Sequence, residues 1–173
     1  MTVERYADQA RRTLFAPARP APAGRFVWLA AGLAVAFMLV YSGIKVYMAA
    51  RGEIGMPGHP APESVQARFE HPALAQAGNA FLGAVAAAVA AATVTRWGAL
   101  IPRWMVLGAL AVALVMQALG AVITLRREGL DPVSGGWGIV ADGVAPAAQL
   151  AAWGVVGVSY FLRTRAPRKA ETR

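Results

Sequence analysis

FVWLAAGLAVAFMLVYSGIKVYM, residues Phe26–Met48, is a 23-residue stretch whose one charged side chain is Lys45. At about 1.5 Å per residue a helix of this length reaches about 34 Å, enough to cross a hydrocarbon core of about 30 Å with modest tilt. Three more blocks of the same kind follow at Ala73–Val94, Pro102–Leu125 and Ile139–Leu162. The spacing predicts an all-α, polytopic membrane protein, a four-transmembrane-helix bundle.

Composition agrees. Of 173 residues, 57% are hydrophobic and only 15% charged, against roughly 25% charged in soluble globular chains. Mean hydropathy is +0.47. There is no cysteine, which excludes a disulfide scaffold, a thiolate metal site and a cysteine nucleophile.

The net charge of +8 suggests nucleic acid only until its distribution is read. Twelve Lys and Arg residues fall on one side of the predicted spans, in the N-terminal tail (Arg5, Arg11, Arg12, Arg19, Arg25), the short second loop (Arg96, Arg103) and the C-terminal tail (Arg163, Arg165, Arg168, Lys169, Arg173). Four fall on the other: Arg51, Arg68, Arg126 and Arg127. The positive-inside rule then places both termini in the cytoplasm. The Arg-rich tails are expected to meet anionic lipid of the inner leaflet, and a nucleic-acid role has no folded basic module to work from.

The domain reading follows. Residues 1–25 form a disordered basic cytoplasmic tail, with Pro17, Pro20 and Pro22 among Ala and Arg. Residues 26–163 form the transmembrane domain, and 164–173 a second basic tail. The first block is too long for a signal-peptide core, and Lys45 stands where a small-residue cleavage site would follow, so a retained helix is expected.

In the outer loop from Arg51 to His71, the Gly- and Pro-rich half from Gly52 to Pro62 is predicted irregular. Glu63 to Glu70 is predicted to make two helical turns on the membrane, with Val65 and Phe69 toward lipid. The second outer loop carries the turn signals Asp131-Pro132 and Gly135-Gly136. Trp28, Trp97, Trp104 and Trp137 lie near block ends, as interfacial indoles do.

Helices in lipid associate through small residues and polar contacts. Stripes of such residues at helical spacing mark the predicted inner faces: Ala31, Ala34, Met38, Tyr41 and Lys45 in block one; Gln76, Asn79, Gly83, Ala87 and Ala90 in block two. Block three offers Ala113, Gln117, Gly120, Ala121 and Thr124, and block four Asp142, Gln149, Trp153, Val156 and Tyr160. The Ala-rich second block is expected to be the most enclosed.

With the termini inside, Lys45, Gln76, Asn79, Gln117, Asp142 and Gln149 all fall in the outer half of the membrane. These six are the candidate ligand-binding residues. Pro146 adds a predicted kink that frees the Asp142 carbonyl. Two readings stay open. In one the cluster is interhelical glue, with Lys45 pairing with Asp142 or snorkelling to the headgroups. In the other it is a ligand site facing the outer leaflet, since an ionisable group within a span is a functional-site hypothesis by default.

Other constellations are weaker. His59 and His71 with Glu63 and Glu70 match no metal-ligand spacing, and no metal or cofactor is expected. Arg96-Trp97 and Arg103-Trp104 read as interface anchors. No Ser/His/Asp set, phosphate-cradling Gly loop or paired intramembrane carboxylate is evident, so no catalytic residue is named.

The stretch Tyr41-Ser-Gly-Ile-Lys45-Val-Tyr47-Met-Ala-Ala-Arg-Gly52-Glu-Ile-Gly55-Met-Pro57, with Arg96-Trp97-Gly98 and Pro102-Arg103-Trp104, resembles small four-helix integral membrane proteins of high-GC actinobacteria. Met48 stands where that group usually has Trp, and Arg51 where it has Gly. The resemblance implies a fold and a membrane location. The group has no established activity, so it implies no functional residue.

Three functions remain: a non-enzymatic accessory or interaction protein, alone as a homo-oligomer or with a membrane partner; a binder or transporter of a small lipophilic or amphipathic molecule; and a lipid or isoprenoid enzyme with Asp142 as acid.

Overall fold

The computed structural model describes residues 20–57, 59–128 and 144–165. The described residues are 80% helical, and the fold is all-α. Among the described residues four helices are long and apolar enough to cross a membrane: α1 (Arg25–Arg51), α3 (Pro72–Ala92), α4 (Arg103–Glu128) and α5 (Ala145–Arg165). One turn of helix, α2 (Glu63–Gln66), and a two-residue antiparallel ladder, β1 (Gly55–Met56) with β2 (His59–Pro60), lie between α1 and α3. A short 3-10 turn at Trp97–Leu100 joins α3 to α4.

The chain divides into two compact units, Met1–Leu33 with Val89–Arg173 and Ala34–Ala88. In the unit Ala34–Ala88, α1 ends on a glycine for a definite reason. Gly52 adopts φ +65°, a left-handed conformation that costs a residue without Cβ little. Its N–H donates to Ala49 and that of Glu53 to Met48, the paired 5→2 and 6→1 bonds that close a helix on a left-handed residue. The chain then turns back through the ladder, in register Gly55 to Pro60 and Met56 to His59. This half of the loop, predicted irregular, is therefore ordered. The second half makes one turn rather than two: the Gln66 amide donates to the Ala61 carbonyl, and the helix stops at Gln66.

Gly83 of α3 sits where a Cβ would run into the hydroxyl of Ser42 and the ring of Tyr41. Ser42 in turn donates back to the Met38 carbonyl at 2.8 Å, so its hydroxyl is pinned. Small-residue contact in this unit is thus a property of one glycine, with buried Ala80 and Ala87 above and below it.

In the other unit α4 packs on α5. The buried face of α4 is Arg103, Val106 and Leu110, continued at the same helical phase by half-buried Ala113 and Gln117. That of α5 is Ala152, Trp153, Val156 and Tyr160. Gly98 in the 3-10 turn is needed for space: a Cβ there would overlap the carbonyl of Ala92.

Several predicted placements change. Asn79 is exposed and Ala80 takes the buried position, because Gln76, Ala80, Gly83, Ala87 and Ala90 keep a tighter phase on α3 than the predicted stripe did. Gly120 is likewise exposed, and Thr124 carries no described side chain. The second span is no more enclosed than the first, each being 28% buried over its apolar window, against 11% for α4. Pro146 is the second residue of α5, where a helix has no internal N–H bond to lose. The kink beside Asp142, and Asp142 itself, lie outside the described residues, as does Trp137.

Candidate functional site

Lys45 and Gln76 meet on one backbone oxygen. Lys45 is half-buried near the C-terminal end of α1, and its ammonium donates to the Gly55 carbonyl at 3.0 Å. It also lies 3.8 Å from the sulfur of Met56 and 5.4 Å from the ring centroid of Tyr41. From the first turns of α3, the Gln76 amide nitrogen donates to Glu53 O at 3.2 Å and Gly55 O at 3.4 Å. Gln76 is only 1% exposed, and its amide oxygen has no hydrogen-bond partner among the described residues. Gly55 itself holds φ +129°, a backbone state that favours glycine.

This arrangement consumes polarity that would otherwise be costly in an apolar span. A buried ammonium without an acceptor is strongly unfavourable, and a carbonyl with both lone pairs occupied offsets part of that cost. The loop edge is finished by an exposed ion pair, Arg51 to Glu53 at 2.9 Å. The hydrogen bond from Arg51 holds the Glu53 carboxyl below its ordinary range.

Of the six candidate residues, the structure brings Lys45 and Gln76 together. Asn79 is exposed, off the buried face of α3 that carries Gln76. Gln117 and Gln149 are half-buried in the other unit, and the Gln149 amide nitrogen has no partner among the described residues. Lys45 is seen with the Gly55 carbonyl; Asp142, its expected partner as the alternative to the headgroups, lies outside the described residues.

The other unit contains a second polar constellation, centred on Arg163. Arg163, near the end of α5, donates from Nη2 to Thr93 O at 2.8 Å, from Nη1 to Ala21 O at 3.0 Å and from Nε to Ser159 Oγ at 3.1 Å. It thereby caps the carbonyl end of α3 and fastens the segment that leads into α1. Arg103 is also buried, 5.6 Å from the ring centroid of Phe161. The sequence does hold a signal for Arg103: it continues backward the spacing of Val106, Leu110, Ala113 and Gln117. On the face of α5 away from Tyr160, an apolar groove of about 550 Å³ is lined by Gly154, Val155, Val158, Ser159, Leu162 and Arg163.

The chain matches no known protein family, no curated protein and no solved structure in comparisons of each kind.

Proposed function

We propose that this chain is a non-enzymatic integral protein of the cytoplasmic membrane, with both termini inside, that displays a folded outer loop and acts through interaction. The observation that carries this reading is the Lys45–Gly55–Gln76 contact: the polar groups of the outer half hold the loop in place. Large apolar side chains on the helix surfaces, among them Leu29, Val40, Phe81 and Val115, are more than half exposed, which suits contact with lipid or with a second membrane helix. The Arg-rich tails complement anionic inner-leaflet lipid.

The test exploits the absence of native cysteine. Ile54→Cys, on the half-buried side of the loop, is labelled in intact cells with a membrane-impermeant maleimide. Slow labelling that accelerates in a Lys45→Met background supports a latched outer loop. Labelling only after lysis rejects the topology, and equal rates in both backgrounds reject the latch.

A second reading, binding of a small lipophilic molecule, is favoured by the groove along α5, whose volume falls in the range of small-ligand sites. Val158→Trp, which fills that groove, should abolish uptake of a lipophilic fluorescent probe by the reconstituted protein if this reading holds.

A further inference from the structure

Four buried polar atoms in the unit that holds α4 and α5 lack a hydrogen-bond partner among the described residues, and they share one chemistry. They are Arg103 Nε, Gln149 Nε2, Trp153 Nε1 and Tyr160 Oη. Three of them can only donate, and the Tyr160 hydroxyl can donate. Arg103, Trp153 and Tyr160 are 9%, 1% and 0% exposed respectively, and Gln149 is half-buried. Such groups ordinarily find a partner when buried, since leaving one unmade costs the full desolvation of that group.

Arg103 and Tyr160 are at the same end of the helices. Arg103 opens α4 and stacks near Phe161, the neighbour of Tyr160. Arg163 follows Tyr160 by three residues on α5, about one helical turn. Among the described residues no carboxylate pairs with them: the ion pairs are Arg51 with Glu53 and the longer His71 with Glu70, both in the other unit. Arg163 is already committed to Ser159, Ala21 and Thr93, so it contributes field rather than free donors. The N-terminus of α4, a 26-residue helix, adds its own positive dipole to the corner. Exposed Trp97 and Trp104 flank it, as indoles do where a span meets headgroups.

The corner is thus a permanent cation with surplus donors and, among the described residues, no paired anion. We propose that Arg103 and Tyr160 form a binding site for a phosphate group, supplied either by a lipid headgroup or by free phosphate. A guanidinium presents parallel donors to phosphate oxygens, and a tyrosine hydroxyl supplies one more. The site belongs to residues outside the loop latch and stands independently of the function proposed above.

The test is thermal unfolding followed by tryptophan fluorescence, on delipidated full-length protein in detergent and phosphate-free buffer. Three ligands are titrated: dihexanoyl phosphatidylglycerol, dihexanoylglycerol without phosphate, and inorganic phosphate. A saturable rise in midpoint with phosphatidylglycerol but not with dihexanoylglycerol is expected. If inorganic phosphate gives the same rise, free phosphate is the source; if it gives none, the lipid headgroup is. Arg103→Gln should weaken the response by about 10-fold or more in apparent affinity, as loss of a charge-assisted bond does, with Arg103→Lys in between. Tyr160→Phe guards against misfolding. It removes an unsatisfied hydroxyl, so its unliganded midpoint should hold or rise while its phosphatidylglycerol affinity falls several-fold. Equal shifts with and without phosphate in the lipid, or variants that respond like the wild type, overturn the proposal.

Discussion

Arg163 reaches across 70 residues of sequence to donate to the carbonyl oxygen of Thr93 at 2.8 Å. Thr93 is fully buried, so that oxygen has no ready substitute in water. The same residue counts as one of twelve inner-side charges in the topology reading, and substitution separates its two roles.

Arg163→Leu should lower the thermal midpoint of the detergent-solubilised protein by an amount equivalent to about 1–3 kcal/mol, since it orphans a buried carbonyl. Arg163→Lys keeps the charge and restores one donor of three, and should fall between. An unchanged midpoint for Arg163→Leu would show that the clamp contributes nothing to stability.

At Gly83 the expected effect is overpacking. Gly83→Ala drives a methyl toward Ser42 and Tyr41 and should cost about 1–3 kcal/mol in chemical or thermal unfolding. Ser42→Gly in the same chain removes the obstructing hydroxyl and should return part of that loss. Ala84→Leu, on an exposed position one residue along, should be nearly neutral. Equal losses at 83 and 84 would contradict the close approach.

Lys45 and Gln76 donate to the same oxygen, so their effects should not add. Lys45→Met and Gln76→Leu are each expected to destabilise by about 1–3 kcal/mol, with an interaction energy of at least about 0.5 kcal/mol in the double-mutant cycle. Strict additivity in unfolding midpoints would mean that the two side chains act separately.

Glu53 gives the pH signature. Its carboxyl is held below the ordinary range by Arg51, so the folded state binds a proton less readily than the unfolded chain does. The ion pair's contribution is therefore fully present above the unfolded carboxylate range and is lost as pH falls through the folded value. Midpoints of wild type and Glu53→Gln, measured from neutral to acid pH, should differ slightly at neutrality and converge on acidification. The difference should shrink in high salt, because the pair is exposed.

The apolar blocks are legible in sequence because each is a long, nearly uncharged run whose length answers to bilayer thickness. The four long helices overlie those blocks. Inner faces are legible where small or polar-tipped residues recur at helical spacing: Ala31, Ala34 and Met38 on α1, Gly83, Ala87 and Ala90 on α3, and Trp153, Val156 and Tyr160 on α5 are all buried. Asn79 misled because polarity in a span was read as an inward signal, whereas position on the helix put Ala80 inside. The loop contact of Lys45 was hidden for a different reason. Its acceptor is a backbone oxygen, and a backbone oxygen leaves no residue-specific trace. Arg163 and Arg103 were overlooked because a charge count asks which side of the membrane a residue is on, not what its nitrogens touch.

The Gly55 oxygen has one more implication. A clasp that closes on a peptide carbonyl reads the course of the chain more than its side chains, apart from position 55, where the backbone state favours glycine, and Met56, whose sulfur lies beside the Lys45 ammonium. Phe69, well exposed, is then free to be exchanged for other residues while the loop keeps its shape. The molecule separates the part that grips from the part that is shown, so a new recognition surface can be written onto the loop without reworking the helices beneath it.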